Sequence, residues 1–140
     1  MKNKDNRSDI GLLILRVGIG AMFMTHGGPK VLGGPEMWGK VGMAMGNLGI
    51  HFAPTFWGLM AALSEFGGGL CLVLGLAVRP ACATMVFTMI VAATMHLTKG
   101  DGLGIASHAI ESGILFISLI FIGAGKYSLD ALLLRGRKSE

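Results

Sequence analysis

Four apolar stretches, each close to the length of a membrane-crossing helix, occupy most of this 140-residue chain. A helix of about 20 residues crosses the roughly 30 Å hydrocarbon core of a bilayer. The stretches cover about residues 10–26, 53–78, 80–97 and 105–124. Hydrophobic residues make up 52% of the chain and charged residues only 14%, against roughly 25% charged in soluble domains. The sequence therefore predicts an all-α membrane protein, a four-transmembrane-helix bundle forming a single domain over residues 1–140.

The connections between these stretches limit how the helices can be arranged. The link Val78-Arg79-Pro80 is so short that the second and third helices must form an antiparallel hairpin, with Pro80 at a first helical position. In the glycine-rich connection 27–52, apolar residues recur at helical spacing at positions 37, 41, 44 and 48. We expect an amphipathic outer segment there, lying on the membrane surface with Trp38 as an interfacial anchor; a flexible loop is the alternative.

The distribution of positive charge predicts the orientation in the membrane. If the N-terminus is cytoplasmic, eight Lys and Arg residues lie on the inner side and three on the outer side, which favours both termini inside. The inner residues are Lys2, Lys4, Arg7, Arg79, Lys126, Arg135, Arg137 and Lys138, and the outer ones are Lys30, Lys40 and Lys99. The charge of +4 is thus explained by orientation in a bacterial cytoplasmic membrane, and no nucleic-acid partner is expected.

Ionisable side chains in or near the apolar stretches are the best indication of a functional site. Charge is costly in hydrocarbon, so such residues usually face a protein interior or a wet cavity. They are Arg16, His26, Glu65, His96, His108 and Glu111. Lys30 would join them if the first helix continued through Gly27-Gly28-Pro29, which these residues disfavour. We expect these seven residues to form a ligand-binding pocket or proton relay opening toward the outer face, where all four histidines fall.

Glu65 is expected to point into the bundle, because small residues surround it at helical spacing and let another helix approach. These small residues are Gly58, Ala61, Ala62, Gly68 and Gly69. Arg16 is its expected partner, either in a structural ion pair or at the centre of a ligand or proton site. Glu111 shares a helical stripe with His108, and carboxylates and imidazoles are both suited to relaying protons.

No motif in the sequence identifies a cofactor. There is no P-loop, GxGxxG or CxxC, and Cys71 and Cys82 are expected to be free thiols. The ten methionines and four histidines suggest copper binding as an alternative. However, the methionines and histidine of the strings 22–26 and 43–45 are two residues apart, so on a helix they point to opposite sides and do not chelate one ion together. A b-type haem between His26 and His96 is a further alternative. We favour neither and expect no metal ligands, and these residues leave the cofactor undetermined.

Five short motifs, in this order along residues 10–132, resemble the DoxX family of small four-helix membrane proteins. They are Leu13-Ile14-Leu15-Arg16-Val17-Gly18, Thr25-His26-Gly27-Gly28-Pro29-Lys30, Ser64-Glu65-Phe66-Gly67-Gly68-Gly69-Leu70, Gly75-Leu76-Ala77-Val78-Arg79-Pro80 and Gly125-Lys126-Tyr127-Ser128-Leu129-Asp130. The resemblance implies a four-span bundle with little mass outside the membrane. It also implies a polar signature of Arg16, His26, Lys30, Glu65 and Arg79, with His96 and Glu111 at positions that tend to be polar.

The same resemblance bears on function, because relatives include DoxD-type subunits associated with thiosulfate:quinone oxidoreduction and proteins linked to oxidative-stress handling. This chain lacks a large thiosulfate-oxidising domain. The hypothesis is therefore an accessory subunit of a membrane redox system, handling a quinone or a small sulfur species, and not a stand-alone enzyme. The alternatives are a small-solute or proton carrier and a structural assembly partner with buried ion pairs. Besides the bilayer, the expected partners are redox-enzyme subunits or another copy of the chain.

Overall fold

The computed structural model describes residues 6–136, and these residues form helices and turns without a strand. The helices are α1 (Asn6–Leu32), α2 (Gly34–Gly42), a 3-10 helix (Met43–Leu48), α3 (Pro54–Leu74), α4 (Val78–Lys99), α5 (Leu103–Ile122) and α6 (Leu129–Gly136). Four of them, α1, α3, α4 and α5, are long and apolar enough to cross a membrane. The predicted all-α bundle of four transmembrane helices is thus confirmed.

The first helix is longer than predicted and continues past His26 to Leu32 with Pro29 inside it. Proline removes one backbone hydrogen bond and normally disfavours a helix interior. Packing compensates here, because the backbone of Gly27 lies directly against that of α3: a Cβ atom at Gly27 would collide with the Phe66 nitrogen. The helix thus continues beyond the expected span end near His26, and Lys30 lies on the same helix one turn further along.

The hairpin turn between α3 and α4 lies at residues 75–77, slightly earlier than the predicted link. Gly75 ends α3 with φ 67°, a left-handed conformation that glycine adopts at low cost. The Asp130 carboxylate accepts hydrogen bonds from the backbone nitrogens of Ala77 (2.8 Å) and Val78 (3.1 Å), at the start of α4. Pro80 stands in the first turn of α4, where its missing N–H costs little.

The four long helices follow the order α1–α3–α4–α5 around the bundle. In this order α1 packs on α3, α3 on α4 and α4 on α5. Their inward faces form one apolar core, made of Phe23, Leu72, Val78, Cys82, Met85, Met89, Ala109, Phe116 and Leu119. We call the end of the bundle that carries α2 the α2 end, and the end with the α3–α4 turn the turn end.

The segment expected to be amphipathic is helical, but it packs on the bundle itself. Gly42 lies against the backbone of Pro54 and Gly58 against that of Trp38, so α2 and α3 touch backbone to backbone. The 3-10 helix that follows also contacts α4 and buries Met45. Met45 lies outside the expected apolar series because the α-helical period ends at Met43, where the backbone tightens to three residues per turn.

Candidate functional site

A cavity of about 830 Å³ lies between α3 and α4 at the α2 end. The two helices touch near Gly68 and Met85. Toward the α2 end their facing residues, 57–65 on α3 and 83–96 on α4, line open space that α2 and the 3-10 helix cover. The walls are mainly apolar and include Met45, Met60, Leu63, Phe87, Val91 and Met95. The size and lining are those of an ordinary small-molecule site.

An ion pair between Lys30 and Glu65 forms the charged part of this cavity. Lys30 Nζ lies 2.8 Å from Glu65 Oε1 and 2.6 Å from Oε2, so the ammonium group donates to both oxygens. The Glu65 side chain is 7% exposed and that of Lys30 is 32% exposed. Hydrogen bonds between charged groups are short and stronger than neutral ones. The carboxylate is therefore held in place, while the lysine remains open to the cavity.

The expected pairing of Glu65 with Arg16 was wrong, and the direction of helical side chains explains why. Side chains on a helix lean toward its N-terminus. Because α1 and α3 run antiparallel, Glu65 leans toward the α2 end and Arg16 toward the turn end. Lys30 leans back from the end of α1 and meets Glu65.

Arg16 instead joins three parts of the chain at the turn end. It is 1% exposed. Its Nη1 donates to the Leu72 carbonyl and its Nη2 to the Tyr127 carbonyl, both at 2.7 Å. The guanidinium thus connects α1 to the end of α3 and to the segment before α6. This geometry assigns Arg16 to the structure of the bundle and separates it from the cavity.

Two polar groups that the sequence analysis missed line the cavity beside Glu65. Within the described residues, Trp57 Nε1 and Ser64 Oγ are buried and have no hydrogen-bond partner. Buried polar groups in folded proteins are nearly always paired with protein or water. The spacing of seven residues, which puts both on one face of α3, was a signal in the sequence. Arg16 Nε and Asp9 Oδ2 are also buried without a partner in this part of the chain, but of the four residues only Trp57 and Ser64 line the cavity.

His96 belongs to the opposite wall of the cavity, on α4. Its Nδ1 lies 2.8 Å from Asp101 Oδ2, and the Asp101 nitrogen donates to the His96 carbonyl (3.1 Å) just beyond the helix end. A carboxylate on one ring nitrogen fixes the orientation of an imidazole and leaves Nε2 for another partner. Asp101 was also missed, because it follows α4 and only the turn at Gly100 brings it back to His96.

The remaining predicted site residues lie on the other side of the bundle, between α1 and α5. The rings of His26 and His108 are 5.7 Å apart between centroids, and Phe23 packs against both. Both histidines are exposed, as is Glu111 one turn further along α5. The structure thus divides the expected single pocket, with Lys30, Glu65 and His96 at the cavity and His26, His108 and Glu111 outside it. Among the described residues no group of three or more His, Cys, Asp or Glu is arranged to hold a metal ion.

Comparison with known proteins identifies the family from residues 11–97, which match DoxX. The chain belongs to the DoxX family. It is 30% identical over 130 residues to "Inner membrane protein YqjF" of Escherichia coli (strain K12), covering 89% of this chain and 93% of the relative. It is also 30% identical over 131 residues to "Putative oxidoreductase CatD" of Bacillus subtilis (strain 168), covering 94% and 92%. No solved structure matches the chain.

Proposed function

We propose that the cavity between α3 and α4 binds the ring of a membrane quinone, and that this chain is an accessory subunit of a membrane redox system. The observation that carries this proposal is the pair of unpartnered donors, Trp57 Nε1 and Ser64 Oγ, beside the Lys30–Glu65 ion pair. A quinone brings two carbonyl acceptors on an apolar ring, which matches donors in an apolar cavity. The name of the relative from Bacillus subtilis, which refers to an oxidoreductase, agrees with redox chemistry.

The position of the cavity favours a lipophilic ligand over a small sulfur anion. Met60 and Leu63 on α3, and Phe87 on α4, line the cavity and are also exposed on the surface of the bundle. In a bilayer these side chains face the lipid, so a quinone would enter sideways without crossing water. A small hydrated anion would lose its hydration against mainly apolar walls, a penalty that the single ammonium group of Lys30 offsets only in part.

The charged groups of the cavity suit the proton demand of a quinone. Reduction to the quinol takes two electrons and two protons, and a partner redox subunit would supply the electrons. Lys30 would donate a hydrogen bond to one quinone oxygen while Glu65 balances its charge. His96, oriented by Asp101 on the opposite wall, would deliver or remove protons through Nε2. In this proposal Lys30, Glu65 and His96 are the site residues, and His26, His108, Glu111 and Arg16 are not.

The proposed location is the bacterial cytoplasmic membrane, with both termini in the cytoplasm. Support comes from the four apolar helices and from the relative in Escherichia coli named as an inner membrane protein. In the described residues, the turn end carries Arg7, Arg79 and Lys126, whereas the α2 end carries Lys30, Lys40 and Lys99. The further inner residues of the charge count, Lys2, Lys4, Arg137, Lys138 and the Arg135 side chain, lie outside the described part.

Quenching of tryptophan fluorescence by a quinone analogue tests the proposed site, because the chain has two tryptophans and only Trp57 lines the cavity. The protein in lipid nanodiscs is titrated with decylubiquinone. In Trp38→Phe, where Trp57 remains, quenching should be strong and saturable; in Trp57→Phe, where Trp38 remains, it should be weak. Ser64→Ala should raise the dissociation constant about 2- to 13-fold, the loss of one hydrogen bond.

Ser118→Ala is the matched control for Ser64→Ala, since Ser118 is exposed on α5 and away from the cavity. It should bind the analogue like the parent protein. Equal, unsaturable quenching of both tryptophans would mean that the analogue only dissolves in the lipid, and would refute the quinone site. Proton uptake into vesicles that depends on Glu65 but not on quinone would favour a carrier.

A further inference from the structure

The lateral surface of the bundle between α1 and α5 carries ionisable side chains within the membrane-spanning helices. These two helices meet through aromatic side chains, with the Phe23 and Phe116 rings 4.9 Å apart between centroids. Around this contact lie His26, His108 and Glu111, all exposed although they belong to membrane-spanning helices. This side is opposite the cavity, because α3 and α4 occupy the other half of the helix order.

Exposure of Glu111 is costly if lipid covers this side. At 1.5 Å per residue, Glu111 stands roughly 12 Å along α5 from Leu103, well within the hydrocarbon. An acidic side chain at mid-membrane costs on the order of 2.5–3.5 kcal/mol on insertion scales, so such residues almost always face protein or a water-filled cavity. The described residues provide Glu111 with no hydrogen-bond or ion-pair partner (contrast Glu65). A protein partner would remove this cost.

The glycines of α1 give an independent indication of contact on this side. Gly20 and Gly27 are used inside the bundle, since a Cβ atom at Gly20 would lie 2.5 Å from the Gly69 oxygen and one at Gly27 would meet Phe66. Among residues 6–136, no heavy atom of a neighbouring segment lies within 4 Å of the Cβ position of Gly11 or Gly18. They are seven residues apart and so share one exposed face of α1. In membranes, small residues on such a face let a second helix approach closely.

We propose that the face formed by Gly11, Gly18, His26, His108 and Glu111 joins two copies of this chain in the membrane. Both copies cross the bilayer in the same direction, so a two-fold axis relating them runs along the membrane normal. A side chain of one copy therefore contacts side chains of the second copy that lie at about the same depth in the bilayer. With α1 packed on α1, α5 of each copy lies beside α1 of the other. Glu111 then meets His26 of the second copy.

We infer a second copy of the chain as the partner because this face carries both the acidic and the basic groups of the contact. It carries one carboxylate and two imidazoles, so a two-fold pairing forms the acid–base contact twice. His108 and Glu111 differ by about 4.5 Å along α5, a distance that their side chains span. The pairing leaves the opening between α3 and α4 toward lipid, so dimerisation does not depend on the quinone proposal.

Disulfide crosslinking in native membranes tests this interface. In the full chain with Cys71→Ala and Cys82→Ala, Gly18→Cys should give a dimer on mild oxidation because residues near a two-fold axis meet their own copies. Phe87→Cys, exposed on α4 away from the proposed face, is the matched control and should stay monomeric. Dimer formation at Phe87→Cys but not at Gly18→Cys would overturn the proposal.

Equilibrium association in liposomes, followed by single-molecule photobleaching, gives a second measurement. Glu111→Gln should raise the dimer dissociation constant about 3- to 18-fold for each interhelical hydrogen bond that the carboxylate made, and Gly18→Leu should abolish dimers. Since no described residue packs within 4 Å of the Gly18 Cβ position, Gly18→Leu should keep the parent's helicity and melting. A monomeric parent protein at all dilutions, or dimerisation of Gly18→Leu at parental strength, would refute the interface, as would a different protein crosslinked at Gly18→Cys.

Discussion

The Lys30–Glu65 ion pair can be tested by removing one partner and then both. In Glu65→Ala the Lys30 ammonium loses both oxygen acceptors, at 2.8 and 2.6 Å. Removing one partner of a buried ion pair typically costs about 3–5 kcal/mol. Because the Lys30 side chain is 32% exposed, it keeps part of its hydration. We therefore expect Glu65→Ala to lower the free energy of unfolding by about 3 kcal/mol or somewhat less.

The double variant Lys30→Met, Glu65→Leu separates a structural role from a binding role. It leaves no unpaired charge and nearly preserves the volume, so its stability should return to within about 1.5 kcal/mol of the parent. Quinone binding should nevertheless be weaker than in the parent, because the Lys30 donor is absent while Trp57 and Ser64 remain. Reversible unfolding in mixed micelles with increasing SDS measures the first quantity, and tryptophan quenching the second.

A double-mutant cycle also decides between the observed pair and the one expected from spacing. Lys30 and Glu65 should show a coupling free energy of about 1 kcal/mol or more, whereas the effects of Arg16→Met and Glu65→Ala should add within about 0.5 kcal/mol. If Glu65→Ala unfolded like the parent, the ion pair would contribute no stability. If Arg16 and Glu65 were coupled instead, the assignment of Arg16 to the turn end would be wrong.

Three further predictions concern the frame that holds the site. Asp130→Ala should destabilise the protein by about 1 kcal/mol in SDS unfolding, because the start of α4 loses its cap; an unchanged midpoint would contradict this. Gly27→Ala should lower the melting temperature through its clash with α3, whereas Gly18→Ala should not; equal effects would refute the packing. In a cysteine-free background in intact cells, Ser8→Cys should resist an impermeant maleimide while Asn47→Cys reacts, and the reverse pattern would invert the proposed topology.

Much of the fold could be predicted from the sequence, since hydropathy and segment length alone determine which segments can cross a bilayer. The end of α1 could not, because it depends on a backbone contact. Local propensity at Gly27-Gly28-Pro29 opposes a helix, and only the close approach of α3 at Gly27 shows why the helix continues. Tertiary packing often overrides propensity in this way.

The candidate site was harder to predict because helical spacing gives the face of a residue but not its partner. Arg16 and Glu65 both face the bundle, and the lean of side chains toward the helix N-terminus would have separated them. The seven-residue spacing places Trp57 and Ser64 on one face of α3, but that their donors have no partner is a property of the folded chain that spacing does not show.

Placing a polar group inside a membrane protein costs free energy, which hydrogen-bond partners offset. The polar groups of this chain differ in whether the bundle itself supplies those partners, and that difference guides the roles proposed for them. Both terminal nitrogens of Arg16 donate to carbonyl groups that the bundle supplies, and its Nε, which has no partner among the described residues, lies at the turn end away from the cavity. In the part of the chain that the structure describes, Ser64 and Trp57 are buried without a partner, and Glu111 is exposed in a span without one. A membrane offers no water to satisfy such groups. Partners from outside the single chain would satisfy the groups at these two locations, and the two locations suit different partners. In the two proposals, a small acceptor molecule pairs with the donors at the cavity, whereas another protein surface covers the exposed carboxylate.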